Sequence, residues 1–588
     1  MIRKEKLLPH LFIFILLISS ISIPISKGCK DIVITSAATA GDYSLLLKVR
    51  DPSRPGLQVL CRTPSGTPYT YHHPWTGKPW DFIVTHTFIG VATQGDTLPN
   101  IVKAGMVLTD AGLAFGDADT GSYWVNPTKN AWDDFDWIRY ACQTANNEDE
   151  AINLLTTEVV HQLHATGVSE NLFLVGPQQA VVIEADAVRH KIRTINDVFV
   201  MSNYAKDLWR TQLLRSLPIA SSFEAEKEAW VQRASVVHLE SICGVKIIQI
   251  AQNSITARVV PSYVFKGSGL DKDVTIYLGE RATIGPYSVT LLDINGSNAR
   301  ISLCTAVYAW EQELLAQVRP LSGAITIKNL MCWSRFHSVD LNGLRPMCED
   351  AFEYEAAMIF KIPEEHANSL SSGWFAANHA CSSIYVPVHI CDNDIYEPYQ
   401  TGEAATLSLE LLHHYGHGTL TSLCQDVEDV LLSENEANEL LAYQMIHNGS
   451  DITLFLTAMD EDMQEQAFLT EQLWLNASNA VQGITENIWM DNYTVSFERM
   501  QKAVSILNNI PGSEPIMYGI GTIALSICKS RIETASVLGR DCTDVKQEFM
   551  VADQNFKSGE FTMGFIILHH AFDSSNNFIN RATEVNQV

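Results

Sequence analysis

The 588 residues contain no CxxC pair and no cysteine–histidine array at zinc spacing, so the usual sequence signs of a zinc site are missing. The histidine-rich HHYGH at His413–His417 offers i, i+3 and i, i+4 pairs around Gly416, but no H-E-x-x-H accompanies it. Neither a metal nor any other cofactor is expected. Basic residues are scarce, with 40 Lys and Arg against 67 Asp and Glu and a formal charge of −27. That balance argues against nucleic acid or an anionic membrane as partner. Beyond the first 30 residues no apolar run reaches the roughly 20 residues needed to span a bilayer. There is no internal repeat and no low-complexity stretch.

What is present begins at the N-terminus. Arg3, Lys4 and Lys6 precede a run from Leu11 to Ile25 that is apolar apart from three serines, and Ser26 and Gly28 stand at −3 and −1 to Cys29. A basic start, a short apolar core and a small-x-small exit describe a secretory signal, with cleavage leaving Cys29 first. An uncleaved membrane anchor is the alternative, weakened by the short core and Pro24. Lipidation of Cys29 is another, although Ser26 stands where such signals carry leucine. Loss of residues 1–28 makes the chain more acidic still. Twelve cysteines, an odd eleven without Cys29, permit disulfides in an exporting context. The Cys332/Cys348 and Cys381/Cys391 spacings are compatible with local bridges. Glycosylation sequons at Asn295, Asn448, Asn476 and Asn492 fit an exposed location.

The length suggests two to four domains. DIVITSAATAGDYSLLLKVR at Asp31–Arg50 reads as two strands about a short turn at Ala40-Gly41-Asp42. Strand-like runs follow at Asp81–Ala92 and Gly105–Phe115. Asn147–Thr166 is helical in period, Asn171–Ala185 is a hairpin through Gly176-Pro177, and Lys191–Ser202 is again a strand region. This mixture predicts a layered α+β domain. Glu224–Leu239 reads as a polar helix. Short alternating runs then predict a small all-β module, Ala306–Val318 predicts a helix, and Leu407 onward reads as helical. The expected organisation is a leader over 1–28, a core in two parts over 29–225 and 320–405, a β module at 240–305 inserted between them, and a helical region over 406–588.

A cysteine at a new N-terminus carries its own base. The α-amine titrates near about 7.7–8.0 and the thiol near about 8.5, so the amine takes the thiol proton, directly or through water. The sulfur then attacks an amide carbonyl, the amine protonates the leaving nitrogen, and water resolves the thioester. The site needs groups that hold the amine and donors for the oxyanion. Cys29 read otherwise is one half of a disulfide or a lipid anchor.

Cys29, the strand after it, the turn with Thr39, Gly41 and Asp42, and LLLKVRDPS ending in Arg50-Asp51 resemble the cysteine N-terminal nucleophile (Ntn) hydrolases. That superfamily includes penicillin V acylase, bile-salt hydrolase, secreted dipeptidases and the acyl-coenzyme A:6-aminopenicillanic acid acyltransferase-like enzymes. The resemblance continues in GMVLTDAGLAFGD at Gly105–Asp117, where Thr109-Asp110 replaces the family's Asn-Glu. It extends to Asn171–Glu184, to VFVMSNY with Asn203, and to the later segment with Trp374, Tyr385 and Pro387. It covers roughly 29–210 and, more faintly, 325–400.

The resemblance implies an αββα sandwich of two antiparallel sheets between helical layers. It implies Cys29 as nucleophile and base, Arg50 and Asp51 as groups that tune it and hold its amine, and Asn203 as a contributor to the oxyanion hole. Penicillin V acylase-like members space the arginine and acid three apart, and Ser53 stands at that spacing here, which leaves the role of Asp51 less fixed than that of Arg50. Asp110 and Trp374 are the expected substrate contacts, with a simple turn acid as the plainer reading of Asp110. The expected substrate is a short peptide or N-acyl amide, with acyl transfer to an amine as the alternative reaction. An inactive exported binding protein on the same fold is the alternative from another class.

Overall fold

The computed structural model describes residues 28–51, 56–95, 104–122, 124–208, 224–239, 243–261, 272–349, 353–489, 493–508, 514–537 and 540–585. The leader 1–27, Ser53, Asn492 and the turn at 267–269 lie outside them. The described chain is mixed helix and sheet, an α+β protein. It divides into two compact units. One comprises Met1–Ala380, Pro387–Ala405 and Asn438–Glu461, and the other Cys381–Val386, Thr406–Ala437 and Asp462–Val588. No helix among the described residues is long and apolar enough to cross a membrane.

In the first unit, β1 (Lys30–Ile34) and β2 (Tyr43–Arg50) form a hairpin in which Lys30 opposes Val49 and Ile34 opposes Leu45. Both strands are buried almost throughout, which is why they read as continuous apolar runs rather than alternating ones. The chain continues through β3 (Gln58–Thr63), β4 (Pro68–His72), β5 (Pro79–Ile83), β6 (Phe88–Thr93), β7 (Met106–Thr109) and β8 (Ala114–Thr120). Helix α1 (Asp134–Cys142) starts at an Asp133 side chain that accepts from the Asp136 N–H, and α2 (Glu148–Asn153) at an Asn147 side chain that accepts from Glu150. Residues Leu154–Gln162 carry α2 on as a π-helical turn. β9 (Ser169–Val175), β10 (Ala180–Ala185), β11 (His190–Ile195) and β12 (Val198–Ser202) follow. Seven of these strands make one antiparallel sheet, in the order β11-β10-β9-β8-β7-β6-β3. Phe88, Val107, Phe115, Leu172, Leu174 and Ile183 on one of its faces pack against Trp137 and Ile138 of α1 and Leu155 and Val159 of the π-helical turn.

The inserted module starts earlier than the sequence reading placed it. Glu224–Leu239 is not a helix: it holds β13 (Glu226–Gln232) and β14 (Val236–His238). β15 (Gly244–Ile250), β16 (Ser254–Val260), β17 (Val274–Tyr277), β18 (Arg281–Ile284), β19 (Tyr287–Asn295) and β20 (Asn298–Thr305) complete it. β13 pairs with β20 from Glu226↔Cys304 to Gln232↔Asn298. Pairing along a neighbour, with Val231 in the module's core, outweighs a local composition that favours helix. The two four-stranded sheets, β13-β20-β19-β18 and β14-β15-β16-β17, share one apolar core that includes Val245, Ile247, Val289 and Ile301.

After the module, α3 (Ala306–Val318) packs on β12, and α4 (Ile327–Ser334) on β2 and on β21 (Ala356–Pro363). With β22 (Ser372–Ala376) and β23 (Val386–His389) these strands form a six-stranded sheet, ordered β12-β1-β2-β21-β22-β23. The six- and seven-stranded sheets meet closely at Gly116 on β8, where an added Cβ would lie 3.3 Å from Asp31 Oδ1 and 3.5 Å from Leu46. The cysteines are all free thiols, so neither local bridge permitted by the spacing is formed.

The second unit is helical. α5 (Tyr493–Leu507), α6 (Glu514–Val537), α7 (Thr543–Lys557) and α8 (Phe561–Val585) pack on one another. Phe497 stacks on Phe572 at 4.3 Å. Phe556 of α7 occupies a space left by two glycines: a Cβ on Gly521 or Gly564 would lie 2.9 or 3.0 Å from its ring. Phe556 is 2% exposed. Phe556→Ala leaves a cavity there and is expected to cost this unit about 3–5 kcal/mol, read as an earlier urea transition in helical circular dichroism. An unmoved midpoint would show that the helices close over the space.

Candidate functional site

Cys29 sits immediately before β1, half-buried. The residue before it is held from three sides. The Gly28 N–H donates to Asp51 Oδ2 at 3.1 Å, and its carbonyl accepts from Arg345 Nη2. Asn203, just past β12, lies against its Cα, so closely that a Cβ there would fall 2.3 Å from Asn203 Oδ1. A side chain on residue 28 would have to push the Asn203 amide aside. Arg345 also reaches Asp51 Oδ2 at 3.3 Å and Ser202 Oγ at 3.4 Å. Asn203 is tied down by its Nδ2 donating to the Asp119 carbonyl at 2.9 Å.

The thiol faces a buried lysine. On β2, Lys48 lies opposite Asp31 of β1, and its Nζ is 3.7 Å from Asp31 Oδ2 and 3.1 Å from Asp117 Oδ1 on β8. Burial opposes the Lys48 charge, but Asp117 and Asp31 outweigh it and hold the ammonium well above its ordinary range, against the Cys29 sulfur. For the thiol itself, burial dominates: it pushes Cys29 up to about 11, with Lys48 pulling down and Asp117, Asp31 and Asp51 pushing up. With Gly28 attached, the thiol is therefore protonated at neutral pH. A nearby base is needed before it can attack.

Arg50 and Asp51 are neighbours in sequence and part company in space. Arg50 Nη1 donates to Gln58 Oε1 at 2.8 Å and its guanidinium lies 4.8 Å from the centre of the Phe135 ring. The charges with the largest effect on Cys29 are Lys48 and the carboxylates of Asp117, Asp31 and Asp51. Asp51 is turned the other way, toward Lys30, whose Nζ donates to Asp51 Oδ2 at 2.7 Å and lies 3.8 Å from Glu355 Oε1. Side chains one apart on an extended strand point to opposite faces, so the pair cannot act jointly on one sulfur.

The structure brings Cys29, Asp51 and Asn203 together around Gly28 and places Arg50 beside them. It does not bring in Asp110 or Trp374. Asp110 sits in the β7–β8 turn, paired with His86 Nδ1 at 2.5 Å and accepting from the Thr87 N–H at 2.9 Å, a turn acid with its own partners. Trp374 is fully buried on β22 opposite Ile359, where it fills core and offers no surface to a substrate. Lys48, Arg345 and Lys30 are the groups the sequence reading missed. Lys48 carried a signal, as a cation set between the apolar LLL and Val49. Arg345, some 300 residues from Cys29, carried none.

No protein-family model matches the sequence, and no curated protein matches it. Among solved structures, two variants of conjugated bile acid hydrolase from Clostridium perfringens are similar over 62% of this chain and 92% of their own, at 10% and 9% identity and a TM-score of 0.32. Penicillin V acylase from Agrobacterium tumefaciens is similar over 62% of this chain and 86% of its own, at 11% identity and a TM-score of 0.28. Scores this low leave any assignment to the chemistry of the site itself.

Removing Lys48 takes away the charge that favours the thiolate and leaves Asp31 and Asp117 without their shared cation. Lys48→Met is expected to destabilise the fold by about 3–5 kcal/mol. At fixed alkaline pH it is expected to slow alkylation of Cys29 at least about tenfold, equal to one pKa unit or more. Mass spectrometry of the labelled peptide across pH checks this, and an unchanged alkylation profile in a folded variant would remove Lys48 from the site.

Proposed function

We propose that this chain is an exported cysteine Ntn hydrolase, built as an αββα sandwich, that cleaves an amide bond in a short peptide or N-acyl amide through a thioester on Cys29. The observation that carries this reading is the grip on Gly28. Its carbonyl lies next to the Cys29 sulfur in the sequence and accepts from Arg345, its N–H is held by Asp51, and Asn203 bounds it on the third side. Once the chain starts at Cys29, the same groups border an empty place beside the nucleophile, shaped for a peptide unit and equipped with a cation for its carbonyl oxygen.

The steps follow from those positions. The free α-amine of Cys29 takes the thiol proton. The sulfur bonds to the substrate carbonyl carbon, and the carbonyl electron pair moves to oxygen as an oxyanion beside the Arg345 guanidinium. In this reading Arg345 takes the donor role expected of Asn203. As placed, Asn203 Nδ2 is committed to the Asp119 carbonyl and Oδ1 faces Gly28, so Asn203 shapes the site. The oxyanion collapses, the ammonium gives its proton to the leaving nitrogen, and the carbon–nitrogen bond breaks to leave the thioester. Water, deprotonated by the amine, then releases the acid and restores the thiol.

Two comparisons test this. Cys29→Ala is expected to abolish turnover of amide substrates with the fold intact, and Cys29→Ser to lose most of it, because an alcohol is harder to activate. Full activity in Cys29→Ala would sink the mechanism. Separately, protein that begins at Cys29 is expected to alkylate at this residue at pH 7 at least about tenfold faster than protein that retains Gly28. The free amine, titrating near about 7.7–8.0, supplies the missing base. N-terminal sequencing and intact mass identify the two forms, and equal rates would mean that the amine does not serve the thiol.

A further inference from the structure

The proposed chemistry leaves the kind of amide open, and a row of carboxylates beside the nucleophile narrows it. Asp117 and Asp119, two apart on β8, share one face of that strand. The register sets Glu170 of β9 directly opposite Asp119, and such cross-strand partners stand on the same face with Cβ atoms about 4.5–5.5 Å apart. One end of the row reaches Cys29: Asp117 Oδ1 is 3.1 Å from the Lys48 Nζ that meets the sulfur. The other reaches Asn203, whose Nδ2 donates to the Asp119 carbonyl at 2.9 Å. Asp119 is exposed, whereas Glu170 is 0% exposed. Neither carboxylate oxygen of Glu170 has a hydrogen-bond partner among the described residues. From this geometry we propose that the amide substrate carries a cationic group, an ammonium or guanidinium, on its acyl half, and that Asp119 and Glu170 receive it. The proposal rests on the amide-cleaving reading of Cys29 and names the substrate class for it.

The electrostatics of the row agree with its geometry. Burial holds Glu170 well above the usual carboxylate range, and Asp119, Asp117 and Asp134 add to it. Asp134, the first residue of α1, is also pushed up, by burial and then by Asp117 and Asp119. Like charges gathered this way do not all ionise in an empty site: protons neutralise part of the row, or a cation does. The neighbouring protein cations are already engaged, Lys48 between Asp31 and Asp117 and Arg50 with Gln58. An ammonium brings three N–H donors and a guanidinium five, so either gives Glu170 the donor it lacks, and the displaced proton leaves to solvent. An anionic group in the same place meets repulsion. The acyl half of the substrate is the part directed there. In the longer chain Gly28 holds the acyl position of the Cys29 amide, and a Cβ on it would point at Asn203, 2.3 Å from Oδ1. A side chain continuing from that atom turns the Asn203 amide aside and meets the strand that carries Asp119.

The test uses protein that begins at Cys29, with chelator present, and the coumarylamides of N-acetyl-lysine, N-acetyl-norleucine and N-acetyl-glutamate. The kcat/KM for the lysyl amide is expected to exceed that for the norleucyl amide at least about tenfold, with the glutamyl amide slowest. Asp119→Asn and Glu170→Gln are each expected to narrow the lysyl-to-norleucyl ratio at least about threefold, chiefly through a higher KM for the lysyl amide. Cleavage of the norleucyl or glutamyl amide as fast as the lysyl one would overturn the cationic preference and leave the amide-cleaving reading standing. If none of the three is cleaved, that reading is the one in difficulty, and the preference is read at the sulfur instead. Aminoethyl and sulfonatoethyl methanethiosulfonate, one cationic and one anionic, each form a mixed disulfide with Cys29 as methanesulfinate leaves. The cationic reagent is expected to label Cys29 at least about tenfold faster than the anionic one, after division by the same ratio on N-acetylcysteine. Asp119→Asn, an exposed position that spares the fold should Glu170→Gln not, is expected to shrink that advantage. Equal labelling by the two reagents would overturn the proposal. So would an advantage that Asp119→Asn leaves unchanged, because it would trace to the −27 charge of the whole chain.

Discussion

A buried ammonium holds the site in place. Lys48 stands between Asp31 on the neighbouring strand and Asp117 on the facing sheet, with essentially no exposure. Taking charged groups out of water is costly, and burial pushes Asp31 well above the usual carboxylate range despite Lys48; replacing such a group by packed apolar side chains is often neutral or better for stability. Its presence here therefore needs a reason other than stability. The contact of Lys48 with the Cys29 sulfur supplies one. The same cation that ties one sheet to the other meets the thiol at the start of β1, so the spacing of the sheets also sets the electrostatics at Cys29.

The two faces of the first hairpin divide the labour. Asp31 and Lys48 share the face toward the second sheet. Lys30 belongs to the other, and with Asp51 it anchors the backbone that leads into Cys29. Lys30 also connects that anchor to Glu355, so the position of Gly28 depends on a segment more than 300 residues away. Arg345 closes the same circuit from its own loop by touching both Asp51 and the Gly28 carbonyl. The entry to β1 is thus fixed by side chains that the chain brings back only after the entire β module has been inserted. This explains why that module begins and ends on the edge of the core: its first and last strands, β13 and β20, pair with each other, so the connections into and out of it lie side by side and the surrounding sheet is not interrupted.

Apolar runs bounded by turn residues made the opening hairpin and the β9–β10 hairpin legible in the sequence, because both are local and almost fully buried. Cys29, Asp51 and Asn203 were legible as an ordered set, and the structure places all three around one glycine. The failures have a common physical cause. In the polar Glu224–Leu239 the strand β13 was missed because its pairing partner β20 lies some 70 residues later, where local composition cannot see it. Trp374 was singled out as a substrate contact for its chemistry, but burial is decided by what covers a strand, and Trp374 is covered completely. Arg345 and Glu355 are ordinary charged residues in a polar stretch, and only the fold reveals that one touches the Gly28 carbonyl and the other the buried lysine.

A thiol pushed up to about 11 looks ill suited to catalysis, yet the arrangement is consistent with the chemistry proposed. A stable thiolate would react with any electrophile and would be a weaker nucleophile for its low basicity. A thiol kept protonated by burial and by three carboxylates is quiet until a base is delivered within bonding distance. An amine on the same residue meets that condition without any diffusional or orientational cost, since base and nucleophile are separated by two carbons. While Gly28 is attached that nitrogen is an amide, with no basic lone pair to offer. In the proposed chemistry the high thiol pKa and the need for a free N-terminus are then one property seen twice. The acid-rich surroundings suppress the thiolate in the longer chain, and the same surroundings favour the ammonium that must form when the sulfur attacks.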